Sequence, residues 1–277
     1  MHLQMRFPPV QAFFPTSNKQ RGDTMKNLGE FRIQDLKERK NFKFSSIKNI
    51  KIADILTWIS NNKELFIALL YIIIYSVIFY LLEKKLPNDA NYTRMYCSLD
   101  DKIPFCEYFL IPYYTWHAFM VITVLYFLFT DTKDYLRSCI MIFGGMTICC
   151  IIYFFFPNGQ NLRPALDTLR DNLFTAEIIR LWEVDTCTNV FPSIHVYDSV
   201  AALIVICKSR EFHKNRLVKG LVGILVFLIS ISTVFLKQHS ILDGFGALIL
   251  AVIMYVITYK LLENKISQCS FLKKKKI

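Results

Sequence analysis

Six stretches of this chain are apolar over roughly the length of a membrane crossing, and they leave few folds open. Leu65–Leu82 and Cys139–Phe156 carry no charge, and Ile111–Thr130 carries a single histidine. Leu217–Leu236 has only Lys219 near its start, and Leu242–Leu262 has Asp243 at one end and Lys260 at the other. A hydrocarbon core about 30 Å thick takes roughly 20 apolar residues of helix. Val190–Cys207 is the least apolar run, because Ser193, His195 and Asp198 fall in its first half. The predicted fold class is all-α: an integral-membrane bundle of six transmembrane helices over residues 63–266, with an interfacial amphipathic helix before it.

Composition agrees. Hydrophobic residues make up 53% of the 277 and aromatic residues 15%, well above a soluble domain. The formal charge of +11 would suggest nucleic acid in a soluble protein. Here its distribution sets orientation instead, since Lys and Arg gather in cytoplasmic loops. With the N-terminus inside, the inner segments hold 25 of the 33 Lys and Arg and the outer segments 8. That predicts a multi-pass protein of the cell membrane with both termini cytoplasmic. Membrane lipids are the expected partners, not nucleic acid; the sequence does not specify the oligomeric state.

Residues 1–44 are basic, lack a period and are predicted to be disordered, with Met25 as an alternative start. A basic tail this long before the first run argues against a cleaved signal peptide. In residues 45–62, Ile47, Ile50, Ile55, Trp58 and Ile59 recur at near-helical spacing around Lys48 and Lys51. That suits a helix lying among headgroups, or a cytoplasmic extension of the first span. The basic tail 267–277 ends in Lys273–Lys276, a topology anchor on anionic lipid. Cys97 and Cys106 share an outer loop, with eight residues between them, and allow a disulfide or two free thiols. Tyr113, Tyr114 and Trp116 read as an aromatic belt, with His117 beside them in a structural or interfacial role.

The polar residues that interrupt the apolar runs form three clusters. His239 and Asp243 are four apart, hence one turn apart if the last helix begins near His239. A carboxylate there fixes one ring nitrogen and leaves the other free to attack or to shuttle protons. In Phe191–Val196 (FPSIHV), Pro192 suits a first helical turn. The following N–H groups and the Ser193 hydroxyl form an anion site, and His195 stands just inside it. Asn158–Pro164 (NGQNLRP) offers Arg163, a planar fork suited to phosphate. On the predicted topology all three clusters lie on the outer face.

The ordered set LRP (Leu162–Pro164), PSIH (Pro192–His195) and S-x6-H-x3-D (Ser232–Asp243) resembles the type 2 phosphatidic acid phosphatase (PAP2) superfamily. It looks most like the inositol phosphorylceramide synthase-like branch, over about residues 111–262. The resemblance implies a lipid phosphatase or phosphotransferase. Its substrate would be a lipid phosphate ester or diphosphate, cleaved through a phosphohistidine without metal or other cofactor. His239 would be the nucleophile, Asp243 its orienting carboxylate and His195 the acid for the leaving group. Arg163 and Ser193 would bind phosphate.

Two positions depart from the family's pattern. Phe156 stands where its first motif has lysine, and Thr233 where its third has arginine. Lys237, four residues after Thr233, is expected on the same helical face as the replacement cation, or as a lysine snorkelling at a helix end. Asp198, three residues after His195, would tune that imidazole or face a wet cavity. Other readings of the same residues are a transporter or proton relay through His195, His239 and Asp243, a metal site from those three, and an inactive PAP2-like binding scaffold.

Overall fold

The computed structural model describes residues 63–85 and 92–268. The tail 1–44, the amphipathic segment 45–62 and all but the first two residues of the tail 267–277 lie outside the described residues. The elements run α1 (Lys63–Lys85), β1 (Thr93–Arg94), α2 (Leu110–Thr130), α3 (Thr132–Phe155), β2 (Asn158–Gly159), α4 (Leu173–Val184), α5 (Ile194–Lys208), α6 (Arg216–Phe235), α7 (Ile241–Val256) and α8 (Glu263–Gln268).

Each predicted apolar run carries a helix. Among the described residues four are long and apolar enough to cross a membrane: Glu107–Thr130, Thr132–Phe155, Arg216–Phe235 and Ile241–Leu261. The last joins α7 to a π turn, Ile257–Leu261. α5 departs from the expectation of a full span. Its 15 residues cover about 22 Å at 1.5 Å per residue, short of a core about 30 Å thick. The run begins at Val190, but Ser193 is the N-cap and the helix starts only at Ile194.

α5 instead fills the middle of the bundle, packed by α2, α3, α6 and α7. Tyr197, Ala201, Ala202 and Val205 are fully buried. The Tyr197 hydroxyl donates to the Met141 carbonyl of α3. Gly145 makes that approach possible, because a Cβ there would lie 1.9 Å from the Tyr197 ring. α1 lies against α3, with Tyr71 stacked on Phe143 at 4.7 Å and hydrogen-bonded to Thr147 at 2.8 Å. The far sides of α6 and α7 expose Leu217, Leu221, Ile224, Phe227, Phe245, Ile249 and Val252.

α2 and α3 are separated only by Asp131, whose carboxylate caps α3 by accepting from the Lys133 and Asp134 amides at 2.8 and 2.9 Å. At the opposite end, β1 runs parallel to β2, pairing Thr93 with Asn158 and Arg94 with Gly159. This ties the segment after α1 to the segment after α3. Cys97 and Cys106 are free thiols.

α4 lies in what reads as a loop. Phe174, Ile178, Leu181 and Trp182 recur at helical spacing, and the Asn172 side chain caps the helix on Thr175 at 2.9 Å. Its apolar face packs on Leu110, Tyr113 and Leu236. That contact lays α4 beside the turn joining α6 to α7.

Candidate active site

The α6–α7 turn carries His239. α6 ends at Phe235, and Lys237 turns the chain with a φ of 55°. Ser240 caps α7 in a capping box, in which Asp243 Oδ2 accepts the Ser240 amide at 2.8 Å. His239 therefore stands just before the cap, not in the first turn as the spacing suggests. Its Nδ1 nevertheless lies 3.4 Å from Asp243 Oδ2 and 3.1 Å from the Val190 carbonyl. A carbonyl only accepts, so Nδ1 carries a proton, and in the neutral ring the lone pair then sits on Nε2.

His195 comes from the first turn of α5. Ser193 caps that helix, its Oγ accepting the Val196 amide at 3.4 Å. Its own amide donates to the Asp243 carbonyl at 3.1 Å, stitching the starts of α5 and α7 together. Pro192 precedes the cap and so lies outside the first turn expected for it. Its carbonyl accepts the Tyr153 hydroxyl at 2.6 Å. The His195 ring packs on Tyr113 at 4.5 Å and on Trp116 at 4.4 Å, and its centroid is 5.8 Å from that of His239. The start of α5 and the α6–α7 turn thus bring the two imidazoles together.

Residues 134–267 match the family model of the PAP2 superfamily. No curated protein and no solved structure matches the chain. The PAP2 match and the four apolar helices mark a membrane protein. The matched stretch contains Arg163, Ser193, His195, Lys237, His239 and Asp243. Tyr113 and Trp116, which wall His195, come from α2, before that stretch begins.

Arg163 is the cation built into this wall. Its Nη2 donates to the Asp185 carbonyl at 2.5 Å and to Gln238 Oε1 at 2.7 Å, and its Nη1 to the Trp182 carbonyl at 3.3 Å. The guanidinium lies 5.2 Å from the Trp182 ring. Gln238 passes the connection on through Nε2, which donates to Asp185 Oδ2 at 3.1 Å. The same oxygen accepts the Tyr113 hydroxyl. Burial draws the Arg163 pKa down, while the Asp185 charge opposes that. The Arg163 Nε and the Trp116 and Trp182 indole nitrogens are buried donors with no partner among the described residues.

Tyr113, Asp185 and Gln238 escape a reading by sequence. Tyr113 reads as part of an aromatic belt, yet it is fully buried while its neighbour Tyr114 is exposed. Gln238 has one signal, its place beside His239. Asp185 has none, since it follows a helix the sequence reading missed. His117 is exposed, its ring edge-on to Trp116 at 4.6 Å.

Lys237 does not continue the helical face of Thr233, because the helix has ended before it. Its ammonium donates to the Asp100 and Ile103 carbonyls at 2.7 and 2.5 Å. Burial lowers its pKa against the opposing pull of Asp100 and Asp101. Asp198 is buried, with Oδ1 unpartnered among the described residues. No three His, Cys, Asp or Glu side chains gather as a metal-ligand group among those residues.

Proposed function

We propose that this chain is a PAP2-type membrane enzyme that cleaves or transfers the phosphate-bearing group of a lipid through a phosphohistidine at His239. The observation that carries the reading is the imidazole pair: two rings 5.8 Å apart, one with its Nδ1 proton held at 3.1 Å by a carbonyl. In the first step His239 Nε2 attacks phosphorus, the phosphorus–oxygen bond to the leaving group breaks, and His195 gives that oxygen its proton. In the second an acceptor hydroxyl loses its proton to His195 as its oxygen attacks, and the phosphorus–nitrogen bond breaks. Water as acceptor makes a phosphatase; an inositol-like or lipid hydroxyl makes a phosphotransferase, as in the inositol phosphorylceramide synthase-like branch.

Arg163 neutralises the non-bridging oxygens, and fixed donors of this kind account for much of the rate in phosphoryl transfer. Its unpartnered Nε, with those of the two indoles, is the kind of buried donor that an oxyanion satisfies. Six crossings with both termini cytoplasmic, as expected from the apolar runs and the distribution of Lys and Arg, would put the site at the extracytoplasmic surface.

The test offers the purified full chain a panel of lipid phosphates and diphosphates with EDTA present, with and without inositol. Cleavage or transfer is expected from the wild type, falling by about 10⁴-fold or more in His239→Ala. Cleavage that survives His239→Ala, or proton flux in liposomes without ester cleavage, overturns the proposal.

A further inference from the structure

Two acceptors face Nδ1 of His239, and the nearer is not the carboxylate. The Val190 oxygen is 3.1 Å away and Asp243 Oδ2 is 3.4 Å away. Asp243 Oδ2 is also the acceptor of the Ser240 amide at 2.8 Å, its shorter contact. The carboxylate is first of all a helix cap.

What holds the Val190 carbonyl is Asn158. This side chain is fully buried. Its Oδ1 accepts two successive amides, Val190 at 2.8 Å and Phe191 at 2.7 Å. Its Nδ2 donates to the Phe156 carbonyl at 2.7 Å and to the Phe191 carbonyl at 3.4 Å. The Phe191 N–H and the Val190 C=O belong to one planar peptide, and in a trans peptide they point in opposite directions. One edge of that plane is therefore pinned to Asn158, and the other receives His239. A donor bonded at one end of a peptide polarises the acceptor at the other. The Asn158 backbone adds a third tie, accepting the Asn189 amide at 2.8 Å.

We propose that Asn158 is a positioning residue for His239, acting through the Val190–Phe191 peptide to hold the imidazole in its Nδ1-protonated form. The consequence for turnover rests on reading His239 as the nucleophile; the tautomer itself does not.

The first measurement is ¹⁵N spectroscopy of the detergent-solubilised full chain labelled at histidine, with the His239 signals identified by their loss in His239→Ala. The wild type is expected to show a protonated Nδ1 and an unprotonated Nε2. Asp243→Ala keeps that pattern, because the carbonyl remains. Asn158→Leu, of similar size but with no acceptor, shifts it to a mixture of tautomers. Asn158→Asp, which retains the acceptor oxygen, restores it.

A folded Asn158→Leu with the wild-type pattern overturns the proposal, and so does an Asp243→Ala that loses it. Should Asn158→Leu fail to fold, the Asp243→Ala and Asn158→Asp spectra decide alone. In turnover, Asn158→Leu should lose about tenfold to hundredfold in kcat with KM little changed, as for a group that orients a base or nucleophile. If the wild type cleaves no lipid phosphate, the functional reading fails while the spectra still decide the role of Asn158.

Discussion

Arg137 at one end of the bundle and Arg163 at the other are held in opposite ways. Where α2 meets α3, charge answers charge. Arg137 bonds Asp134 at 2.7 Å and Glu263 at 2.7 and 3.2 Å, and Lys133 reaches Glu263 at 2.5 Å. The second Asp134 oxygen accepts the Arg210 amide at 3.2 Å. At the other end Arg163 is held by two carbonyls and an amide oxygen, Asp185 by a phenol and an amide, and His239 by a carbonyl. The first arrangement neutralises itself and locks α3 to α8. The second holds a cation by hydrogen bonds to dipoles, with the Asp185 charge acting on it but no carboxylate bonded to it among the described residues, an arrangement suited to the anion-binding role proposed for it. Arg137 is buried and Arg163 half-buried, so withdrawal from solvent alone does not separate a brace from a site.

The largest effect on turnover outside the two imidazoles is expected at Arg163. Arg163→Lys keeps the charge but loses the fork that meets Asp185, Gln238 and Trp182 together. Losing one or two charge-assisted hydrogen bonds predicts a fall in kcat/KM of about tenfold to hundredfold. Steady-state kinetics on any lipid phosphate that the wild type cleaves would check it. Wild-type kinetics in Arg163→Lys would erase the contrast between the two ends.

That contrast was half legible in the sequence, for a physical reason. Patterns with short spacing survive folding: Ser193 and His195 share a helix start, and His239 with Asp243 span one capping box. The apolar runs were legible too, since lipid-length stretches without charge have few folds to choose from. α5 misled because a helix buried by protein is as apolar as one buried by lipid, and only its 15 residues separate the two. Tyr113 and Asp185 are 72 residues apart, and nothing local links a phenol in one segment to a carboxylate in another. The helical face expected to join Lys237 to Thr233 is absent for the opposite reason. The lysine's spacing from Thr233 was helical, but the left-handed residue at 237 follows the helix end, and spacing says nothing once the helix stops.

At the self-neutralised end, stability should respond and chemistry should not. Arg137→Met leaves Asp134, whose side chain is 2% exposed, without its ionic partner. Stranding a buried charge in this way costs about 3–5 kcal/mol, the upper part of that range being reduced here by the Arg210 amide that remains. The thermal midpoint of the solubilised protein should drop, while kcat of the surviving folded fraction stays at the wild-type value. A loss of kcat with an unchanged midpoint would mean that this cluster communicates with the site beyond the far end of α3, and the division between brace and site would fall.

Lys237 tests that division most finely, because it sits two residues before His239, the proposed nucleophile, and yet is bonded like a brace. Its ammonium meets two carbonyls of the segment that also carries Asp100. Asp100 in turn accepts the Ser240 hydroxyl at 2.7 Å and the Ile241 amide at 2.9 Å. The lysine thus clamps a loop onto the turn that presents His239. Lys237→Met should lower the thermal midpoint by the worth of one or two charge-assisted bonds, about 1.5–3 kcal/mol each. It should change kcat by no more than about threefold, an effect under about 0.7 kcal/mol. An ammonium has three donors, and the third is the one that matters to this test. A hundredfold loss of kcat with an unshifted midpoint would show that this third donor serves the phosphate, making Lys237 the cation that Phe156 and Thr233 do not supply.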